Sequence, residues 1–409
     1  MGAERFERFL KAFEQPSPVS IRVNPRKLPA GGMAAMAGCE AVPWCPSGYY
    51  LPHRPPFTFD PLLHAGCYYV QEAASMFLDE VLRQHLPLKE PLAFLDLCAA
   101  PGGKSTLIRS ALSGDSLLVS NEPLRKRAQV LAENMTKWGY DNTLVCSNRP
   151  EDFRRAHLLF DAILCDVPCS GEGMFRRDEA AIGEWSAESV ERCSRLQRDI
   201  VSDAWQCLRP GGILIYSTCT FNILENEGNV RWIVDHLGGD VLRVQTDREW
   251  PITGSLLPDF QQPVYRFIPG ITRSEGLFMA VVRKPAGRDS DDCPGDSRRK
   301  APIATMRKKL NVVADLVSPT PPVTVATAEV DYATAISYLR GEAIVLPADV
   351  RRGLVGITFL GRTLGLAKNI GSRANNLYPK EWRIKSTHVP NAYDAVMATL
   401  QEKGTEQHN

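Results

Sequence analysis

The sequence predicts an α/β fold: a parallel sheet covered by helices on both faces, with a small lobe before it and a smaller α+β unit after it. Three observations carry this. Between residues 93 and 283, short apolar runs recur between segments of helical periodicity, the pattern of strands buried on both faces. The first run, AFLDLC (93–98), leads straight into a glycine-rich turn and a helix, as in doubly wound sheets. At 409 residues the chain exceeds one ordinary core, so two or three domains are expected.

In order along the chain, residues 4–14 read as an amphipathic helix with Phe6, Phe9, Leu10 and Phe13 on one face. Residues 16–61 are rich in Pro and Gly, with VSIRVN (19–24) as the one strand-like piece, so residues 1–65 are expected to form a small irregular lobe. Residues 71–85 are helical by pattern. Across 66–284 the alternation predicts strands at 93–98, 116–120, 143–146, 161–166 and 213–217. Helices are predicted at 104–113, 124–138, 188–208 and 225–236. The helix at 188–208 runs into RPGG (209–212), a strong stop signal. GLFMAVVR (276–283) is a late strand and a candidate for antiparallel pairing. Residues 285–310 are expected to be a linker, since PAGRDSDDCPGDSRRK (285–300) has no periodicity. The unit at 311–409 is expected to hold strands at 343–346, 354–360 and 363–367 and a helix at 332–340.

Composition narrows the function. Hydrophobic content of 44% and charged content of 23% describe a soluble globular chain. A net charge of +1 supplies no global field for a polyanion, so any basic surface is local. No apolar run is long enough to span a membrane, and the charged N-terminus is no secretory leader. Eleven cysteines without a C-x-x-C pair argue against a zinc ribbon or redox dithiol. Cys98, Cys165 and Cys207 lie in apolar runs and read as buried small hydrophobes. No metal is expected, and the thiol usage fits the reducing cytoplasm.

The turn AAPGGKS (99–105) can bring backbone N–H groups to a ligand at a helix N-terminus. A P-loop needs a glycine where Cys98 stands, and G-x-G-x-x-G is absent. Glu122, after the next strand, suits the hydroxyls of a ribose. Together these favour an adenosyl ligand without a triphosphate, such as S-adenosylmethionine, over a ligand-free tight turn.

Cys169 in DAILCDVPCSGEG (161–173) and Cys219 in ILIYSTCT (213–220) follow two apolar strands. Ligands in open α/β sheets bind at the carboxyl ends of strands, so neighbouring strands would bring both thiols to the cofactor. A strand-end cysteine is more often a buried filler, but the small polar neighbours here weaken that reading. Carbon 5 of a pyrimidine is a poor nucleophile. Thiolate addition at carbon 6 makes it enamine-like, carbon 5 then takes a methyl group, and a base removes its proton as the thiol leaves. Asp166 is placed to bond the amino group and N3 of a cytosine.

These residues carry a resemblance. SIRVNP (20–25), GCYYVQEAAS (66–75), DLCAAPGGKS (96–105), DVPCSGEGMFRRD (166–178), STCTFNILENE (217–227) and GLAKNIGSRANNLYPKEWRIKS (365–386) resemble the Nop/Sun family of RNA cytosine-5 methyltransferases. The likeness is greatest to bacterial 16S ribosomal RNA enzymes with a C-terminal PUA-like module. It covers nearly the whole chain, and the paired cysteines are its most specific part. It implies a Rossmann-like S-adenosylmethionine-dependent sheet between an N-terminal RNA-binding lobe and a small α+β PUA-like domain. It makes Cys219 the nucleophile and Cys169 the thiol that assists release. Cys98, Ala99, Ala100, Pro101, Gly102, Gly103, Lys104, Glu122 and Asp166 would hold S-adenosylmethionine, with Lys104 and Arg127 at family basic positions. One departure stands out: where the family has an Asp after the third strand, this chain has Arg149, with Asn148 and Asp152 as other candidates for the adenine.

Residues 361–385 hold six basic residues and one acid, and residues 285–409 carry 17 basic and 13 acidic side chains. Alone this reads as a solvated face; beside Asn375, Asn376, Tyr378 and Trp382, and with the PUA-like resemblance, it favours RNA. The expected RNA contacts are Arg22, Arg176, Arg177, Lys368, Arg373, Asn376 and Arg383, with Asn24 and Phe175 as neighbours. The expected partner is small-subunit ribosomal RNA or its assembly intermediate, bound by a monomer away from membranes. The rival readings are a non-catalytic ribosome-assembly factor, a transfer RNA methyltransferase and a P-loop NTPase.

Overall fold

The computed structural model describes residues 1–28, 38–286, 303–317, 325–386, 388–390, 393 and 396. Most of the expected linker and the last residues of the C-terminal unit lie outside the described residues. Among the described residues, the strands form three sheets of four, nine and four strands.

The N-terminal lobe is more regular than expected. Strands β1 (Val19–Val23), β2 (Glu40–Ala41), β3 (Gly48–Leu51) and β4 (Tyr68–Val70) form an antiparallel sheet in the order β2-β3-β1-β4. Ser20 to Val23 are all buried, so β1 lacks the alternation of a half-exposed strand. The helix Ala3–Ala12 precedes the sheet, and its Phe9 ring meets Phe221 edge-on at 5.1 Å. The helix expected at 71–85 starts late: a 3-10 turn at Ala74–Phe77 leads into the helix Leu78–His85. Gln71 and Glu72 stay outside it, Gln71 accepting from Arg22 (2.7 Å) and Glu72 from the Ser75 N–H (2.9 Å).

The central sheet is built on β5 (Ala93–Asp96), β6 (Leu117–Asn121), β7 (Thr143–Cys146), β8 (Phe160–Asp166) and β9 (Leu208–Thr218). These run parallel in the order β9-β8-β5-β6-β7. Both faces are apolar: Phe94, Leu118, Leu164 and Ile215 enter one buried cluster, and Leu95, Val119, Ile163 and Leu214 the other. That is why each strand reads as an unbroken apolar run. Beyond β9 lie β10 (Asp240–Leu242), β11 (Tyr265–Phe267) and β12 (Leu277–Arg283), with β12 antiparallel to β9 as its sequence allowed. The helix Ala187–Gln206 stops before RPGG, which is already part of β9. Strand order reverses between β5 and β8, which opens a crevice at their carboxyl ends.

A ninth strand, β13 (Val312–Asp315), pairs antiparallel with β7. Residues 312–315, expected with the C-terminal unit, therefore sit on the central sheet. The C-terminal unit holds β14 (Ala326–Glu329), β15 (Gly353–Phe359), β16 (Arg362–Asn369) and β17 (Ala374–Asn376) around the helix Tyr332–Leu339. The strand expected at 343–346 does not form: Ile344 makes a single bridge to Ala374, Val345 is 74% exposed, and Pro347 has no N–H to donate. This unit shares one buried cluster with the N-terminal lobe, including Ile21, Val23 and Tyr68 beside Ile336, Val355 and Ala367. Among the described residues, no helix is long and apolar enough to cross a membrane.

Candidate active site

The glycine turn leaves the end of β5 and is tied down from three sides. Gly102 adopts φ +117, a conformation that suits glycine, and a Cβ there would lie 3.1 Å from Leu131. Arg127 donates to the Ala100 carbonyl (3.1 Å), Asn134 to the Pro101 carbonyl (2.8 Å) and Arg22 to the Gly103 carbonyl (3.2 Å). Ala99 N–H reaches Asn121 O at 2.8 Å, which joins the turn to β6. Cys98 is half-buried beside the turn, and burial raises its thiol pKa.

Carboxylates surround this turn. Asp96 accepts from Ser105 Oγ at 2.6 Å, while its Oδ1 is buried without a partner among the described residues. Burial pushes its carboxyl up to about 7. Glu122 is buried at the end of β6, accepts from the Leu124 N–H (3.0 Å) and pairs with Arg127 (3.2 Å). Asp166 accepts from Lys104 Nζ (2.8 Å) and Ser217 Oγ (2.5 Å). Three acceptors around one turn, with the only lysine of the turn already paired, would repel a triphosphate. They fit the cationic centre and hydroxyl donors of S-adenosylmethionine, and the lone Asp96 Oδ1 offers an acceptor in need of a donor.

The two thiols meet because β8 and β9 are neighbours in a register that pairs Asp166 with Ser217. Cys169 and Cys219 follow at the same end, with their Sγ atoms 3.3 Å apart. The hydrogen bond from Cys169 holds the Cys219 thiol below its ordinary range, and the Lys104 cation assists against burial and Asp166. The same bond, with burial, drives the Cys169 thiol well up. The two shifts run in opposite directions, so Cys219 is the thiol of the pair that gives up its proton more readily.

Residues that sequence reasoning missed hold the two loops. Glu225 is fully buried and accepts from Ser170 N–H (3.1 Å), Gln197 Nε2 (2.6 Å) and Asn222 Nδ2 (2.8 Å). Glu172 accepts from the N–H groups of Phe221 (2.7 Å) and Asn222 (2.9 Å). Gly173 N–H donates to the Cys219 carbonyl at 2.7 Å. Asn226 accepts from Thr218 Oγ1 (2.6 Å) and donates to Thr220 O (2.9 Å). The one signal was their crowding into CSGEG and CTFNILENE beside the cysteines.

The expected RNA contacts divide. Arg22 is 1% exposed, donates to Gln71, Gly103 and Thr106, and lies 4.6 Å over the Trp138 ring. It braces the lobe against the turn and is no surface contact. Asn24 is likewise buried, bonding Gly66 O and Trp138 O. Arg176 is almost buried, with its Nη groups on the carbonyls of Gln15, Pro16 and Ser274 and near Glu275. Asn376 turns its amide onto Tyr338 O and Glu342 O, and Arg383 packs over Gly341. Arg177, Lys368 and Arg373 are exposed. At the departure after β7, Asn148 Oδ1 accepts from Asn311 N–H (2.9 Å), and Asp152 accepts from Arg149 N–H (2.9 Å). Asn148 is thereby tied to the segment that leads into β13.

A doubly wound sheet with a carboxylate-ringed glycine turn and a pair of thiols at the adjoining strand ends defines a Rossmann-like methyltransferase scaffold. Comparison with known sequences makes this specific: the chain belongs to the family described as 16S rRNA methyltransferase RsmB/F, which matches residues 83–283. Residues 1–73 match the N-terminal domain of 16S rRNA methyltransferase RsmF, and residues 325–384 the methyltransferase RsmF PUA domain. Ribosomal RNA small subunit methyltransferase F of Pectobacterium atrosepticum is 34% identical over 74% of this chain and 64% of its own length. The Salmonella typhi protein of that name is 32% identical over 75% of this chain and 66% of its own. The chain thus spans a little under two thirds of these relatives. A methyltransferase homolog protein from Pyrococcus horikoshii shares the fold at TM-score 0.59 and 26% identity, over 69% of this chain and 91% of that one. So does NSun6 from the same organism, solved with SFG, at TM-score 0.58 and 21% identity, over 69% and 95%.

Proposed function

We propose that this chain uses S-adenosylmethionine to methylate carbon 5 of a cytosine in 16S ribosomal RNA, through a covalent bond from Cys219 to carbon 6. The observation that carries the reading is the thiol pair: a lowered Cys219 pKa, a hydrogen-bonded Cys169 at 3.3 Å, and Lys104–Asp166 beside them. Family membership and the RsmF-type flanking domains support the RNA class.

S-adenosylmethionine, when bound by residues 98–104 with Glu122 and Asp166, supplies an electrophilic methyl group. Cys219 attacks carbon 6, and the new S–C bond pushes electron density to carbon 5. Asp166 still has free lone pairs beyond those used by Lys104 and Ser217, so it can accept from the exocyclic amine and orient the ring. Once Cys219 is bonded to carbon, its negative charge is gone, and so is the charge that held the Cys169 proton. After carbon 5 has taken the methyl group, Cys169 gives its proton to solvent and, as a thiolate, takes the proton on carbon 5; the C5–H electron pair re-forms the C5–C6 double bond and Cys219 leaves as a thiolate. The base is out of reach in a duplex, so the cytosine must be unpaired or flipped.

The test is methyl transfer to 16S ribosomal RNA. Cys219→Ala should lose turnover by more than 1,000-fold, on the order of the loss when a covalent nucleophile is removed, while cofactor affinity holds. Turnover retained by that variant would remove the assignment.

A further inference from the structure

A cavity of about 750 Å³ lies between the end of the N-terminal helix, the loop after β3 and the segment 270–274. That volume falls within the range of ligand pockets, about 300–1,000 Å³, and far exceeds the space of a single ion. Among the described residues, its lining includes His53, Arg54, Arg176 and Arg273 and no Asp or Glu. Two buried donors in the wall have no hydrogen-bond partner among the described residues: Ser274 Oγ and Arg176 Nε. Ser274 is 1% exposed and the Arg176 side chain 6%. Buried donors are seldom left orphaned unless a ligand or water completes them.

Charge points to an anion. Arg54 is exposed at the mouth, 5.4 Å over the Phe57 ring. Arg273 is held 4.3 Å over the Tyr50 ring and pairs with Glu40 at 3.1 Å. Glu275 stands behind Arg176 at 3.4 Å, and this buried pair offsets that cation; the Arg273–Glu40 pair is exposed and solvent-screened, so Arg273 can turn to a phosphate beside Arg54. The wall also continues into the catalytic loops: Arg176 lies three residues beyond Gly173, whose N–H binds the Cys219 carbonyl.

We propose that this cavity takes a nucleotide of the single-stranded RNA next to the target cytosine, with its phosphate on Arg54 and Arg273 and its remaining acceptors on Ser274 and Arg176. The inference rests on the RNA reading above and adds a site that no sequence motif marks. Arg176 becomes part of the wall of the site, while Arg54 and Arg273, absent from the sequence-based expectations, become the clamp.

The experiment is binding of a fluorescein-labelled unstructured RNA 12-mer, by anisotropy across a salt series. Arg54→Gln with Arg273→Gln should weaken binding roughly tenfold and lower the slope of log K against log salt by about 1.4, since each phosphate contact on a single strand contributes about 0.7. S-adenosylmethionine affinity and melting temperature should stay at wild type. Arg54→Gln alone, which gives up the contact with Phe57, should show half the slope change and guards against misfolding of the double variant. Wild-type slope in both variants overturns the cavity as an RNA site while the RNA reading stands. Wild-type protein that binds no RNA overturns both.

Discussion

A single methyl group at position 173 probes how the two cysteine loops are held. A Cβ on Gly173 would lie 2.4 Å from the Cys219 carbonyl oxygen and 3.3 Å from that of Glu275. Carbon–oxygen contacts settle at about 3.3 Å or more, so in Gly173→Ala the loops must part by roughly 0.9 Å. That stretches the 2.7 Å bond from Gly173 N–H to Cys219 O beyond hydrogen-bond range, and moves the nucleophile's backbone relative to Cys169. Misplacement of about 1 Å at reacting groups costs on the order of 100-fold in rate, or about 2.7 kcal/mol of barrier. The glycine turn leaves a different strand, β5, so cofactor affinity should stay at the wild-type value. The assay is kcat for methyl transfer at saturating cofactor, with cofactor Kd by calorimetry. A kcat within threefold of wild type would refute the idea that the Gly173 clasp sets the thiol geometry.

Other substitutions test neighbouring parts. Lys104→Met removes a cation that lowers the Cys219 pKa and leaves Asp166, which raises it, without its partner. The acid limb of kcat/KM should move to higher pH by about one unit, a tenfold loss along that limb that closes at alkaline pH; an unmoved profile would contradict the electrostatic role. Lys368→Gln with Arg373→Gln, both exposed on the C-terminal unit, should lower the salt slope of RNA binding by about 1.4 and leave melting unchanged. An unaltered slope would take RNA contact away from this face. Point changes are the sound test there, because deleting residues 301–409 would also strip β13 from the central sheet and uncover the N-terminal core.

The central sheet was legible because burial on both faces makes each strand an unbroken apolar run, and because β8 and β9 are followed by Cys169 and Cys219 within small polar segments. Their adjacency was a matter of sheet order, which local pattern leaves open. The N-terminal sheet was hidden by its short strands and by Arg22, which read as a solvent-facing charge and is in fact a buried strut between lobe and turn. Glu172 and Glu225 carried no local sign of burial; acidic residues in a loop ordinarily face water. Here they end the hydrogen bonds of backbone N–H groups in the opposite loop. The run at 343–346 was apolar enough for a strand but ends at Pro347 and pairs through one residue, Ile344, with Ala374.

Covalent capture reads the bond between Cys219 and carbon 6 itself. Cys169→Ala protein, incubated with S-adenosylmethionine and 16S ribosomal RNA, should accumulate a denaturation-resistant RNA adduct. After nuclease and protease digestion, mass spectrometry should place a methylated cytidine on the peptide containing Cys219. An adduct on any other residue, or free methylated RNA formed by Cys219→Ala protein, would contradict the account.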